Sequence, residues 1–198
     1  MTQLLTSLQN LLDRSRSNLD FLAPLALRLY LAPVFWIAGT NKLNGFEDIV
    51  QWFGNSEWGL GLPFPWLMAF LATASEVVGA VMLLFGFGVR WISIPLMATM
   101  AVAILSVHLE HGWQAVADKM SPFPPADITE AGERLEAARS ILQEHGNYEW
   151  LTASGNFVIS NNGAEWAATY LIMLLALFAL GGGRLVSIDY WIRKRWMG

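Results

Sequence analysis

The chain has 198 residues, 55% hydrophobic and 14% charged, with a net charge of −4. This is too apolar and too poorly charged for an ordinary soluble domain, and no basic block with interleaved aromatics outside the extreme C-terminus suggests nucleic acid as a partner. Cysteine is absent, which excludes disulfides, thiolate nucleophiles, Fe–S ligation and cysteine-type zinc sites, so any redox role must proceed without thiols.

Leu4, Leu5, Leu8, Leu11 and Leu12 fall at helical spacing within residues 3–13, which predicts an amphipathic helix lying at the membrane surface or capping the bundle. Asp13, Arg14, Arg16 and Asp20 interrupt any apolar core, so no cleaved signal peptide is expected. A first span follows at about 21–42, with Pro24 in its first turn, where proline is tolerated, and Pro33 inside it. The loop 43–64 is rich in Gly and Trp and predicts a short amphipathic helix at about 46–53.

The second span, 65–87, is a 23-residue apolar run with one charge, Glu76, near its middle. A run of this length crosses a hydrocarbon core of about 30 Å. A carboxylate at that depth costs about 2.5–3.5 kcal/mol on insertion scales, so an intramembrane acid points to a functional site and requires a partner. A tight connection at Val89-Arg90 leads to the third span, 91–109.

Residues 110–163 are acidic, polar and turn-rich. The Asp127/Glu130 spacing predicts a capping box opening a helix over 128–145, and segments 148–152 and 157–159 predict a β-hairpin. The last span, 164–180, opens with Glu165 as a helix N-terminal acid and ends at Gly181-Gly182-Gly183, before a basic aromatic tail. The expected fold is an all-α membrane protein forming one domain over 1–198. It comprises a four-transmembrane-helix bundle, an N-terminal amphipathic helix and a small extracytoplasmic α/β-hairpin cap at 110–163. With both termini inside, Arg14, Arg16, Arg90, Arg184, Arg193, Lys194 and Arg195 face the cytoplasm, and Lys42, Lys119, Arg134 and Arg139 face outward. This bias predicts a multi-pass protein of a bacterial inner membrane with cytoplasmic N- and C-termini.

Arg28, Phe35 and Lys42 recur every seven residues on the first span, and Glu76, Gly79 and Arg90 line the second. Facing stripes would assemble a polar seam in which Arg28 partners Glu76. One reading is a buried ion-pair network that sets helix register. The functional reading makes Glu76 and Arg28 the catalytic pair, with Lys42, Arg90, Phe35 and Gly79 around a ligand. Burial and a neighbouring cation act oppositely on an acid, which poises proton uptake and release near neutrality. His108 and His111, three apart with Met97 and Met100 further into the same span, form a candidate copper site, although interfacial or capping histidines are the simpler explanation.

The patterns RLYLAPVFWIAGTNKL (28–43), EVVGAVMLLFGFGVR (76–90) and GGGRLVSIDYW (181–191) together resemble the DoxX family of small four-helix membrane proteins. The matching positions are Arg28, Gly39, Lys42, Glu76, Gly79, Gly86, Arg90, Gly183 and Asp189, and the likeness does not extend to the 112–160 insertion. The family includes the small subunit of a thiosulfate:quinone oxidoreductase, and some members accompany copper-responsive peptide-modification clusters. The resemblance implies an oxidoreductase subunit that sits in the lipid bilayer, binds a quinone or similar apolar ligand, and works with a partner protein of a redox complex or as an oligomer. The alternatives from other classes are a non-catalytic scaffold that docks a partner through its acidic cap, and a copper-handling membrane protein.

Overall fold

The computed structural model describes residues 19–196 together with Thr6, Gln9, Asn10 and Asp13. The amphipathic helix expected over 3–13 otherwise lies outside the described residues. The chain divides into two compact units, one of Met1–Thr99 with Tyr170–Gly198, the other of Met100–Thr169.

The first unit is helical. α1 (Leu22–Asn44) runs unbroken through Pro33, and α2 (Phe46–Gly54) is the short loop helix. α3 (Pro65–Phe85) carries Glu76, and α4 (Val89–Ala103) continues as a π-type turn over Ile104–His108 and a 3-10 turn over Leu109–His111. α1, α3 and the continuous Val89–His111 segment are long and apolar enough to cross a membrane. The fourth expected span differs. Its helix, Glu165–Leu180, has 16 residues and is shorter than those three, because Gly163 and Gly181 bracket it closely.

Gly39 sits against Val77 and the Cβ of Glu76, whereas Arg28 reaches the carbonyls of Leu83 and Leu84. Positions therefore rise along α3 as they fall along α1, so the two helices pack antiparallel. The contact at Gly39 depends on its missing side chain, since a Cβ there would lie 2.7 Å from Val77 Cγ2 and 2.9 Å from Val77 N. Close backbone approach through small residues is the usual way that apolar helices associate in lipid.

α3 ends in a Schellman motif. Gly86, at φ +66°, donates its N–H to Leu83 O at 3.2 Å, and Phe87 N–H donates to Met82 O at 2.9 Å. Glycine reaches this left-handed conformation without a Cβ penalty. The next turn is held from the C-terminal helix of this unit, Ile188–Trp196. Its Asp189 carboxylate accepts the N–H groups of Gly88 at 2.6 Å and Val89 at 2.9 Å. These are orphan donors at the start of α4, so Asp189 acts as an N-cap supplied from a distant part of the chain.

In the second unit, α5 (Ile128–His145) forms where expected, but Asp127 makes no side-chain cap bond, so the capping box is absent. The expected β-hairpin is also absent, and no strand occurs among the described residues. Residues Tyr148–Leu151 form one helical turn, α6, because the Asn147 side chain accepts the Trp150 N–H and favours a helix start over an extended segment. Segment 157–161 pairs instead with 115–117, through Ala117 N–H to Ile159 O, Asn161 N–H to Ala115 O and a single antiparallel bridge between Val116 and Ser160. The apolar helix Glu165–Leu180 becomes α7, and Ile188–Trp196 becomes α8.

Replacing Asp189 with Ala removes the acceptor for both N–H groups. The expected cost is about 1–2 kcal/mol, read as a lower Tm in detergent with helix content retained at room temperature.

Candidate functional site

Glu76 is the twelfth of the 21 residues of α3, which places it near mid-span. Its side chain is 2% exposed, and Lys42 Nζ donates to Oε1 at 2.9 Å and to Oε2 at 2.7 Å. The partner of the buried acid is therefore Lys42 and not Arg28. The reason is helix register: Gly39 lies level with Glu76 and Val77, and Lys42 follows one turn later on the same face of α1. Its long flexible stem returns the ammonium to the carboxylate. At 24% exposed, Lys42 carries the buried acid's partner charge to the edge of the packed interior.

Arg28 lies two turns below Phe35 and is engaged elsewhere. The residue is 1% exposed. Nε donates to Leu83 O at 2.9 Å, Nη2 to Val186 O at 2.9 Å and Leu84 O at 3.4 Å, and Nη1 to Gly182 O. Two of these acceptors are carbonyls of the last turn of α3, of which Leu83 O also accepts the Gly86 N–H, and a cation there meets the favourable end of the helix dipole. Asp189 is the nearby carboxylate acting on this charge. Arg90 does the same for α7, with Nη2 donating to Ala179 O at 2.9 Å. The expected seam thus separates into a mid-span acid–lysine pair and two arginines that close helix ends.

Phe35 is buried and meets the ring of Tyr170 edge-on, with centroids 6.5 Å apart. Gly79 receives Leu96, whose Cδ1 would stand 2.9 Å from an added Cβ, so Gly79 serves the α3–α4 contact. One residue that sequence reasoning missed is Thr73, one turn before Glu76 on the buried face of α3. It is 4% exposed, and its Oγ1 has no hydrogen-bond partner. Such a group normally finds a partner. The signal in the sequence was the i, i+3 spacing to Glu76, but threonine is too common in spans for that spacing to stand out.

In the second unit, His108 Nδ1 lies 2.8 Å from Asn162 O, and His111 Nε2 lies 3.5 Å from its neighbour Glu110. Among the described residues, no group of three His, Cys, Asp or Glu could hold a metal ion. Glu165, expected as a helix N-terminal acid, accepts the Ala115 N–H through Oε2 at 3.0 Å.

Apolar membrane-length helices packed around a buried acid–base pair define an integral membrane protein. The sequence model of the DoxX family matches residues 23–109, from the second residue of α1 through most of the third span. Over 86 residues the chain is 33% identical to CatD of Bacillus subtilis (strain 168), named provisionally as an oxidoreductase. That alignment covers 43% of this chain and 60% of CatD. The chain is also 29% identical over 99 residues to the inner membrane protein YphA of Escherichia coli (strain K12), covering 50% of this chain and 66% of that protein. No solved structure gives a significant match.

Replacing Lys42 with Met leaves the Glu76 carboxylate buried and unpaired, an expected loss of about 3 kcal/mol. The double replacement Lys42→Met with Glu76→Leu should restore most of that stability. A double-mutant cycle on thermal unfolding in detergent measures the coupling, and additive effects would contradict a direct pair.

Proposed function

We propose that the protein is the membrane subunit of a redox system, with Lys42 and Glu76 as the polar centre of a site for a quinone-like ligand. The observation that carries this reading is the bidentate Lys42–Glu76 pair at mid-span. The unpartnered Thr73 hydroxyl one turn away suits it, since a quinone offers carbonyl oxygens as acceptors and both Thr73 and Lys42 can donate. The bound quinone supplies the electron-accepting chemistry. In this reading Lys42 and Thr73 orient the head group, Glu76 holds or releases a proton, and the surrounding apolar helices exclude water. Arg28 and Arg90 act as structural residues, a change from the catalytic and ligand-binding roles expected from spacing.

The same reading makes α7 a fourth, shorter span and sets both termini in the cytoplasm, in keeping with the positive-inside bias. It places the protein in a bacterial inner membrane.

Glu76→Gln keeps a hydrogen-bonding side chain but removes the titrating group. Quinone-dependent turnover of the reconstituted system should fall by about 100-fold or more, with insertion and Tm near wild type. Turnover within twofold of wild type would overturn the assignment.

A second reading is favoured by the compact unit Met100–Thr169, most of which lies beyond the family match. Here the acidic 110–163 segment docks a partner chain. Deleting 118–160 should remove the partner in a pull-down while ligand binding survives, and an unchanged pull-down would count against docking.

A further inference from the structure

The first unit carries a second polar feature, at the end of the bundle where α1 begins and α7 finishes. A cleft of about 520 Å³ is lined there by Asp20, Leu180, Arg184, Tyr190, Arg193 and Lys194, among others. This volume is within the roughly 300–1,000 Å³ typical of small-molecule sites. We propose that the cleft binds the phosphate of an anionic phospholipid head group.

Charge is the first argument. Among the described residues lining the cleft, three cations face one acid, and Asp20 is engaged by Arg184, whose Nη1 lies 3.2 Å from its Oδ2. Arg193 and Lys194 add positive charge that no carboxylate lining the cleft offsets. The second argument is geometry. Tyr190, Arg193 and Lys194 stand at i, i+3 and i+4 on α8, so one helix face delivers a hydroxyl and two cations to the same opening. The Lys194 ammonium also lies 5.3 Å over the Trp191 ring, which draws its stem along the aromatic surface.

Depth selects a lipid over a soluble anion. Leu180 is the last residue of apolar α7, and Pro24 in the first turn of α1 also lines the cleft. The opening is therefore level with the ends of membrane-length helices, where head groups lie. Trp191, Ile192 and Trp196 on α8 are exposed beside it. Aromatic side chains of this kind prefer the membrane interface, and an acyl chain can lie along the apolar flank below the phosphate. A free phosphate would gain nothing from that flank.

The test is native mass spectrometry of the full chain in detergent, with equal phosphatidylglycerol and phosphatidylethanolamine added. Wild type should retain phosphatidylglycerol preferentially. The double variant Arg193→Gln with Lys194→Gln loses about fivefold per cation, roughly 30-fold in affinity for the anionic lipid, with phosphatidylethanolamine unaffected. Arg195→Gln removes the same charge from α8 outside the cleft lining and should bind like wild type. Equal retention of the two lipids by wild type, undiminished phosphatidylglycerol binding by the double variant, or an equal loss in Arg195→Gln would each overturn the proposal. So would displacement of phosphatidylglycerol by inorganic phosphate at the same concentration, which would make the cleft a free-anion site.

Discussion

The first unit depends on the burial of one guanidinium. Arg28 donates to carbonyls from the end of α3 and from the segment between α7 and α8. A buried cation without acceptors would be prohibitively costly, and helix-end carbonyls left with spare acceptor capacity in an apolar interior would be costly too. Each resolves the other's deficit. The Arg fork suits this because its donors point in several fixed directions, whereas a lysine ammonium is a compact point charge. Gly86 belongs to the same arrangement, since any Cβ there would collide with the guanidinium and with Ser187.

Around that contact other polar side chains close helix ends. Asp189 caps the start of α4 while its own N–H donates to Gly86 O at 3.0 Å. Ser187 accepts the Tyr190 N–H and so caps α8, which holds Asp189 in place. Four helices thus meet at one end through hydrogen bonds that need no water. This matters in a bilayer, where every backbone group must find its partner within the protein.

With that end accounted for, the Lys42–Glu76 pair stands apart. No backbone end requires it, and its cost is not offset by closing a helix. A structural pair could have been replaced by apolar side chains of similar volume at little penalty. Its position at mid-span, with a buried unpartnered hydroxyl one turn away, is the arrangement expected where a polar ligand atom or a proton must enter an apolar interior.

The sequence by itself determined the membrane class, the three long spans to within a few residues, the loop helix at Phe46–Gly54, α5, and the place of Glu76 near the middle of the second span. Those features follow from run length, composition and local periodicity, which are properties of contiguous residues. Tertiary structure decided which charges meet. The seven-residue spacing of Arg28, Phe35 and Lys42 placed them on one stripe, but the offset of α1 against α3 paired Glu76 with Lys42. The Gly39 contact sets that offset and leaves Arg28, eleven residues earlier on α1, about three turns away from the level of Glu76. The capping role of Asp189 and the pairing of 157–161 with 115–117 were equally hidden, because both join segments distant in sequence. The predicted hairpin failed for a related reason: a short stretch of mixed propensity takes its conformation from the side chain or segment that satisfies its backbone, here Asn147 and residues 115–117.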